Sequence, residues 1–250
     1  MVLLAAVLAA GCGDDDGEGS ADDPTTTTTS SSEDGSTANA GADQQAAEDA
    51  ILVQSDMPAD WVEDTDDDAD DALDDADVAS EAVLADCLGV DPAYVESDET
   101  DGEPTADSAF EFDVPEGSSG SLSVNSDVQV NATASEGEDV LAALTGEGAA
   151  TCLREQSETY IEASGTEGVG AVSVEPAEFP AVGDQSAAFR MTAPFETDQG
   201  TVTFVTDFVV ATKGRAIVSM QFTSSEPWAW DTAYEQELTE LVLDRIPSDL

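Results

Sequence analysis

Three cysteines are the residues whose type and position say most about chemistry. Cys12 follows the uninterrupted apolar run Val2–Ala10 and Gly11. Such a run is far shorter than the roughly 20 residues a bilayer span needs, but it suits the apolar region of a secretory signal peptide. Leu8-Ala9-Ala10-Gly11-Cys12 has the pattern of a bacterial lipobox, in which the cysteine sulfur is diacylated and the cysteine becomes the mature N-terminus; Ala9 stands where leucine is commoner, and no Lys or Arg precedes the run. The other two, Cys87 and Cys152, are an even pair in an exported domain and read as one disulfide. The bridge closes a loop worth roughly 4 kcal/mol in the chain-entropy account. Two buried free thiols are the alternative. A redox-active pair is disfavoured, because there is no CxxC spacing and no basic cluster to lower a thiol pKa.

The rest of the chemistry is bounded by charge. The chain of 250 residues holds 57 Asp+Glu, 5 Lys+Arg and no histidine, for a formal net charge of −52. Without histidine there is no Ser-His-Asp or Cys-His catalysis and no His-ligated metal. Five cations cannot build a phosphate-neutralising face, so nucleic acid is excluded as a partner. A hydrolytic carboxylate pair cannot be singled out among so many acids, and Lys213, the only lysine, sits at an expected turn rather than in a desolvated pocket. The expectation is a non-enzyme without a cofactor. Asp64, Asp66, Asp68 and Asp70 match positions one, three, five and seven of a calcium loop. Ala69 replaces its glycine, Asp71 its apolar residue and Asp75 its bidentate glutamate, so diffuse cation binding is expected there and no specific metal site.

The best ligand-binding candidates come from strand alternation. If Phe189, Val202, Phe204, Val218, Met220 and Phe222 face the core, then Arg190, Asp207, Ser219 and Gln221 share the opposite face with Val205, Val209 and Ile217. A mixed face of that kind can line a cleft for a small or lipidic ligand. Alternatively a helix covers its apolar part, and Arg190 pairs with Asp207 across two strands. Trp228 and Trp230 point the same way in an extended segment, either as a lid over the core or as an exposed aromatic contact.

These residues need elements to hold them. A helix is expected over Asp67–Leu88, with Leu73, Ala76, Ala79 or Ser80, Val83 and Cys87 at helical spacing and Gly89 as its stop. Phe110–Val114 and Leu122–Val130 alternate as strands, and Ser97–Ser108 reads as a loop. Helical stretches follow at Glu138–Leu144 and Ala149–Ile161. Ala187, Phe189 and Met191 mark a strand, and Gly200–Thr212 and Arg215–Thr223 form a hairpin around Lys213-Gly214. A capping box of Thr232 and Glu235 opens a last helix with Tyr234, Leu238, Leu241, Val242 and Ile246 on its buried stripe. The class is α+β: a twisted antiparallel sheet with flanking helices, preceded by a signal peptide and a disordered acidic tether.

The domains expected are therefore a lipoprotein signal peptide over 1–11, a disordered acidic, Thr/Ser-rich tether over 12–49, and an α+β sensor-like or binding domain over 50–250. Gly13–Glu48 contains no aromatic or branched aliphatic residue, too little apolar surface to offset ordering entropy. The localisation implied is the extracytoplasmic face of the cell membrane, lipid-anchored at Cys12. The partners implied are the membrane through that anchor, a small or lipidic ligand, an envelope protein and diffuse cations.

Ile51–Trp61 (ILVQSDMPADW), the Cys87-Leu88-Gly89-Val90 segment and a later cysteine at 152 resemble a recurring pattern of exported actinobacterial domains, a leading DLPxGW element and a following CLG. The group includes lipoproteins and is similar to the extracellular sensor domain of mycobacterial PknH-type receptor serine/threonine kinases. The resemblance implies a twisted antiparallel sheet with helices, a cleft and a ligand-sensing role without catalysis. Two departures stand out: Asp60 replaces the glycine of the first element, and the kinase sensors carry two disulfides where this chain can make one. With no kinase domain and no membrane-spanning helix in the sequence, a signalling output would pass through a separate partner.

Overall fold

The computed structural model describes residues 36–64, 71–90, 104–112, 114, 120–198 and 200–250. The leader, Cys12 and the first part of the tether lie outside the described residues, as do 65–70 of the calcium-like run. Helix α1 (Ser36–Ala50) leads through a short 3-10 turn at Gln54–Asp56 to strand β1 (Trp61–Glu63). There follow α2 (Asp71–Leu88), β2 (Thr105–Phe112), β3 (Leu122–Val130), α3 (Ala134–Leu144), α4 (Ala149–Ala163), β4 (Ser173–Pro176), β5 (Gln185–Thr197), β6 (Gly200–Lys213), β7 (Ala216–Ser225) and α5 (Thr232–Arg245). The strands form one antiparallel sheet in the order β1-β2-β3-β7-β6-β5-β4. The fold is α+β.

Both faces of the sheet are covered where it is deepest. Ala47 and Ala50 of α1 and Leu238, Val242 and Leu243 of α5 pack on Phe110, Val124, Val128, Val209, Val218, Met220 and Phe222. On the other face Leu84 and Ala85 of α2, Leu141 and Leu144 of α3 and Leu153 of α4 pack with Phe189, Met191, Phe208, Val210 and Ile217. Residues 206–212 of β6 and 216–222 of β7 are therefore buried on both sides of the strand. That three-layer arrangement is how one sheet hides two apolar faces.

α1 corrects the expected tether, whose last part is ordered on the body. Ala47 and Ala50 are fully buried, Gln44 Nε2 donates to the Thr105 carbonyl at 2.8 Å, and Asp43 pairs with Arg215. The segment lacks large apolar residues, and a small contact made by alanines leaves little trace in composition. The body thus includes α1. Ser97–Ser108 is corrected in part as well, since β2 starts at Thr105 and pairs Thr105–Glu111 with Ser123–Gln129.

The turn between β6 and β7 is Gly214–Arg215, with Lys213 opposite Ala216, one residue later than expected. Gly214 has φ of +57°, and a Cβ there would lie 2.5 Å from the Leu250 carbonyl carbon, so glycine is required twice over. α5 is capped by Asp231, whose Oδ1 accepts the Ala233 N–H at 2.8 Å, and not by Thr232. Cys87 and Cys152 are bonded, S–S 2.07 Å, joining the end of α2 to the first turn of α4.

Candidate functional site

The β6–β7 register splits the expected ligand face. A two-residue turn pairs residues whose numbers differ by an odd count, so even positions of β6 share a face with odd positions of β7. Asp207 stands opposite Phe222, Phe208 opposite Gln221 and Val210 opposite Ser219. Arg190 and Asp207 therefore lie on the α1/α5 face with Val205, Val209, Val218, Met220 and Phe222. Ser219, Gln221 and Ile217 lie on the other face with Phe189, Phe208 and Val210. Val202 and Phe204 belong to that second face too, half-buried near the sheet's end. The four polar residues do not converge, because the two-residue turn reverses parity between β6 and β7. Ser219 is 3% exposed beneath the helical layer, so its position is that of a core residue.

What the structure does assemble is a triad on the α1/α5 face. Arg190 of β5 and Asp207 of β6 are cross-strand neighbours. Arg190 Nε donates to Asp207 Oδ1 at 2.7 Å and Nη2 donates to Oδ2 at 2.5 Å, a bidentate pair. The third member is Glu235, in the first turn of α5. Its residue is 1% exposed, it hydrogen-bonds Asp207, and its Oε1 has no hydrogen-bond partner. Burial first, then the Asp207 charge and the hydrogen bond to it, push the Glu235 carboxyl up to about 8. At neutral pH it is a neutral acid donating to a carboxylate. One guanidinium and one shared negative charge then balance.

Glu235 was hidden in the sequence by its own plausibility as a capping residue. The signal that exposes it is helical period: Glu235, Leu238, Thr239 and Val242 fall on one stripe, and all four are buried. A second perturbed acid is the half-buried Asp127 on β3, raised by partial loss of hydration and by the charge of Asp107 opposite it.

Trp228 and Trp230 close one end of the α1/α5 core. The Trp230 ring lies 5.3 Å from Trp61, 5.1 Å from Phe222 and 5.9 Å from Tyr234, and its Nε1 donates to the Thr223 carbonyl at 3.0 Å. Trp228 packs edge-on to Phe112 at 5.0 Å. Both are half-buried, which is the lid arrangement.

All five cations are engaged within the chain. Arg154 pairs with Glu158 at 2.7 Å on α4, and Arg190 with Asp207. Arg215 holds Asp43 at 2.7 Å and the Asn131 carbonyl at 2.6 Å. Arg245 holds Asp56 at 2.6 Å and the Ile51 carbonyl at 2.7 Å, and Lys213 Nζ donates to the Leu243 carbonyl at 2.7 Å. Burial raises the Asp56 carboxyl, but its bonds to Arg245 and the Val53 N–H outweigh that and hold it below its ordinary value. Among the described residues no group of three or more acids or thiols is placed to hold a metal, and no helix is long and apolar enough to cross a membrane.

Two open grooves mark the surface. One, about 430 Å³, is lined mainly by apolar residues including Leu144, Ala149, Pro176, Phe179 and Phe189. The other, about 380 Å³, lies between the end of α4 and the loop before β4, with Glu158, Glu162 and Glu167 around Ile161 and Val172.

No protein-family model matches the sequence, and no curated protein matches it. Among solved structures there is a likeness to LpqN of Mycobacterium tuberculosis, described as involved in cell envelope biogenesis. The TM-score is 0.28 at 10% identity, covering 56% of this chain and 67% of that one.

Proposed function

We propose that this chain is a lipid-anchored cell-envelope protein whose body, on the extracytoplasmic side, is a non-enzymatic binding module for cationic partners. The observation that carries the reading is the fate of the cations. With 57 acids and only 5 cations, every cation is already paired within the chain, so the outward surface attracts positive charge. The disulfide supports an exported, oxidising location, and the leader ending at Cys12 supports the anchor. The acid pair Asp207–Glu235 is sealed, which supports a binding role over a hydrolytic one.

Sensing of a small apolar ligand is the second reading. It is supported by the groove lined by Phe179 and Phe189 and by the resemblance of Ile51–Trp61 and Cys87–Val90 to exported sensor domains.

The anchor is tested by Cys12→Ser, which should release the protein into the medium or leave it unprocessed; retention on the membrane at normal mature mass would overturn it. The binding role is tested by titrating the folded protein with a lysine-rich polypeptide across a salt series, beside polyglutamate of equal charge. Tighter binding than polyglutamate is expected, weakening with salt. Equal affinity would mean the fold adds nothing.

A further inference from the structure

Glu235 sits where a charge cannot be kept. It lies under the first turn of α5, 1% exposed, against Asp207, whose side chain is 8% exposed and already committed to Arg190. The charged groups around it come from every strand beneath that turn and from the turn itself. They are Asp207 on β6, Arg190 on β5 and Asp231 at the N-cap, while Glu175 on β4 stands opposite Arg190 and acts on that cation. β7 contributes Phe222, which does not titrate. One cation thus faces three carboxyl groups, Asp207, Glu175 and Glu235, when Glu235 is ionised. Arg190 carries a single positive charge, and its bidentate bonds from Nε and Nη2 already set that charge against Asp207, so it does not neutralise a second carboxylate as well.

Ionised Glu235 must therefore be hydrated, and the route to water is outward movement of the turn that carries it. That turn also carries Tyr234 and follows directly on Trp230, which seals Trp61 and Phe222. We propose that protonated Glu235 is a latch holding the first turn of α5 to the sheet, and that its ionisation releases this turn with the Trp228–Trp230 segment and uncovers the aromatic cluster beneath. The rest of α5 stays, pinned through Leu238, Val242 and the Arg245–Asp56 pair. A rise in pH thereby exposes apolar surface that is sealed at neutral pH.

The full disulfide-bonded chain reports on this by itself, because its three tryptophans, Trp61, Trp228 and Trp230, all lie in the cluster. Emission should shift to the red through a transition centred near pH 8, while far-UV circular dichroism stays nearly constant. Ordinary tyrosines and lysines titrate near 10, above this window; an α-amino group titrates within it. Glu235→Gln separates the two, since it keeps a donor to Asp207 and cannot ionise. The transition should vanish in that variant. No transition in the parent between pH 7 and 9.5, or the same transition in Glu235→Gln, overturns the latch. Should that variant misfold, Asp207→Asn leaves Arg190 to pair with Glu235 and should move the midpoint below about pH 7; an unmoved midpoint overturns it. Hydrogen exchange needs no variant. Corrected for intrinsic rates, amides 233–236 should lose protection above pH 8 while those of β6 and β7 keep it, and retained protection at 233–236 overturns the proposal equally.

Discussion

Removing the Cys87–Cys152 bridge has a magnitude that follows from the chain alone. The two cysteines are 65 residues apart, and the loop between them contains β2, β3 and α3. Cross-linking a loop of that length withdraws roughly 14–15 cal/mol/K of entropy from the unfolded chain, or about 4 kcal/mol at 25 °C. The native side changes little, because Cys87 is exposed and α2 keeps its Leu84 and Ala85 contacts with α3 and α4. Cys152 is buried, so its truncation adds about 1 kcal/mol. Chemically reduced protein isolates the first number, and the double variant Cys87→Ala/Cys152→Ala gives the sum. Urea unfolding should show a loss of about 4 kcal/mol on reduction and about 5 in the variant, with a larger m-value as the uncrosslinked chain expands. Followed by tryptophan emission on the α1/α5 face and by circular dichroism for the whole chain, the two transitions should coincide. A loss under about 1 kcal/mol would refute the loop argument. Separate transitions would show that α2 opens alone.

Glu235→Gln should stabilise the protein at neutral pH. The native carboxyl titrates at about 8 and the unfolded one near 4.5, so the unfolded chain sheds a proton the native state keeps, and parental stability falls as pH rises between these values by at most ~5 kcal/mol; comparing chemical unfolding of the two proteins at pH 5 and pH 8 should show that slope in the parent and lose most of it in the variant. Arg215→Ala should cost about 2–3 kcal/mol, since it strands the part-buried Asp43 carboxylate, and limited proteolysis should then cut within 36–50 first. Unfolding temperature should climb between about 0.05 and 2 M NaCl, as screening shortens from over 10 Å to about 3 Å and below, and a flat series beside a sucrose control would contradict it.

The hairpin strands and the last helix were legible because their periods are strong and their punctuation is local: β3 spans Leu122–Val130 as read, and Gly89 ends α2 with φ of +71°. The site was less legible, for a reason that is geometric. Alternation tells which residues of one strand share a face, but joining two strands needs the turn's parity, and one mistaken exchange moved Ser219 and Gln221 to the wrong side. Arg190 and Asp207 do share a face, because they stand directly opposite each other in the β5–β6 register. Glu235 and α1 were missed for opposite reasons. An acid at the fourth residue of a helix has a ready surface explanation, and a helix whose buried apolar residues are alanines shows no hydrophobic pattern.

The placement of the five cations explains how so acidic a chain stays compact. Arg154 acts within one helix, and Arg190 between neighbouring strands. The other three bridge distant segments: Arg215 reaches 172 residues back to Asp43, Arg245 reaches 194 back to Ile51, and Lys213 reaches 30 forward to Leu243. All three bind at the joints of α1 and α5, the two helices that seal one sheet face, and all three use carbonyls, Arg215 and Arg245 beside a carboxylate and Lys213 in place of one. A cation on a carbonyl at the end of α5 also meets the negative end of the helix dipole. General repulsion among surface acids acts on the whole body and weakens with salt, whereas these joints are partly buried and screened less. Salt should therefore relieve the repulsion faster than it weakens the joints. That asymmetry lets a chain with eleven acids per cation gain stability where ordinary ion-paired surfaces gain none.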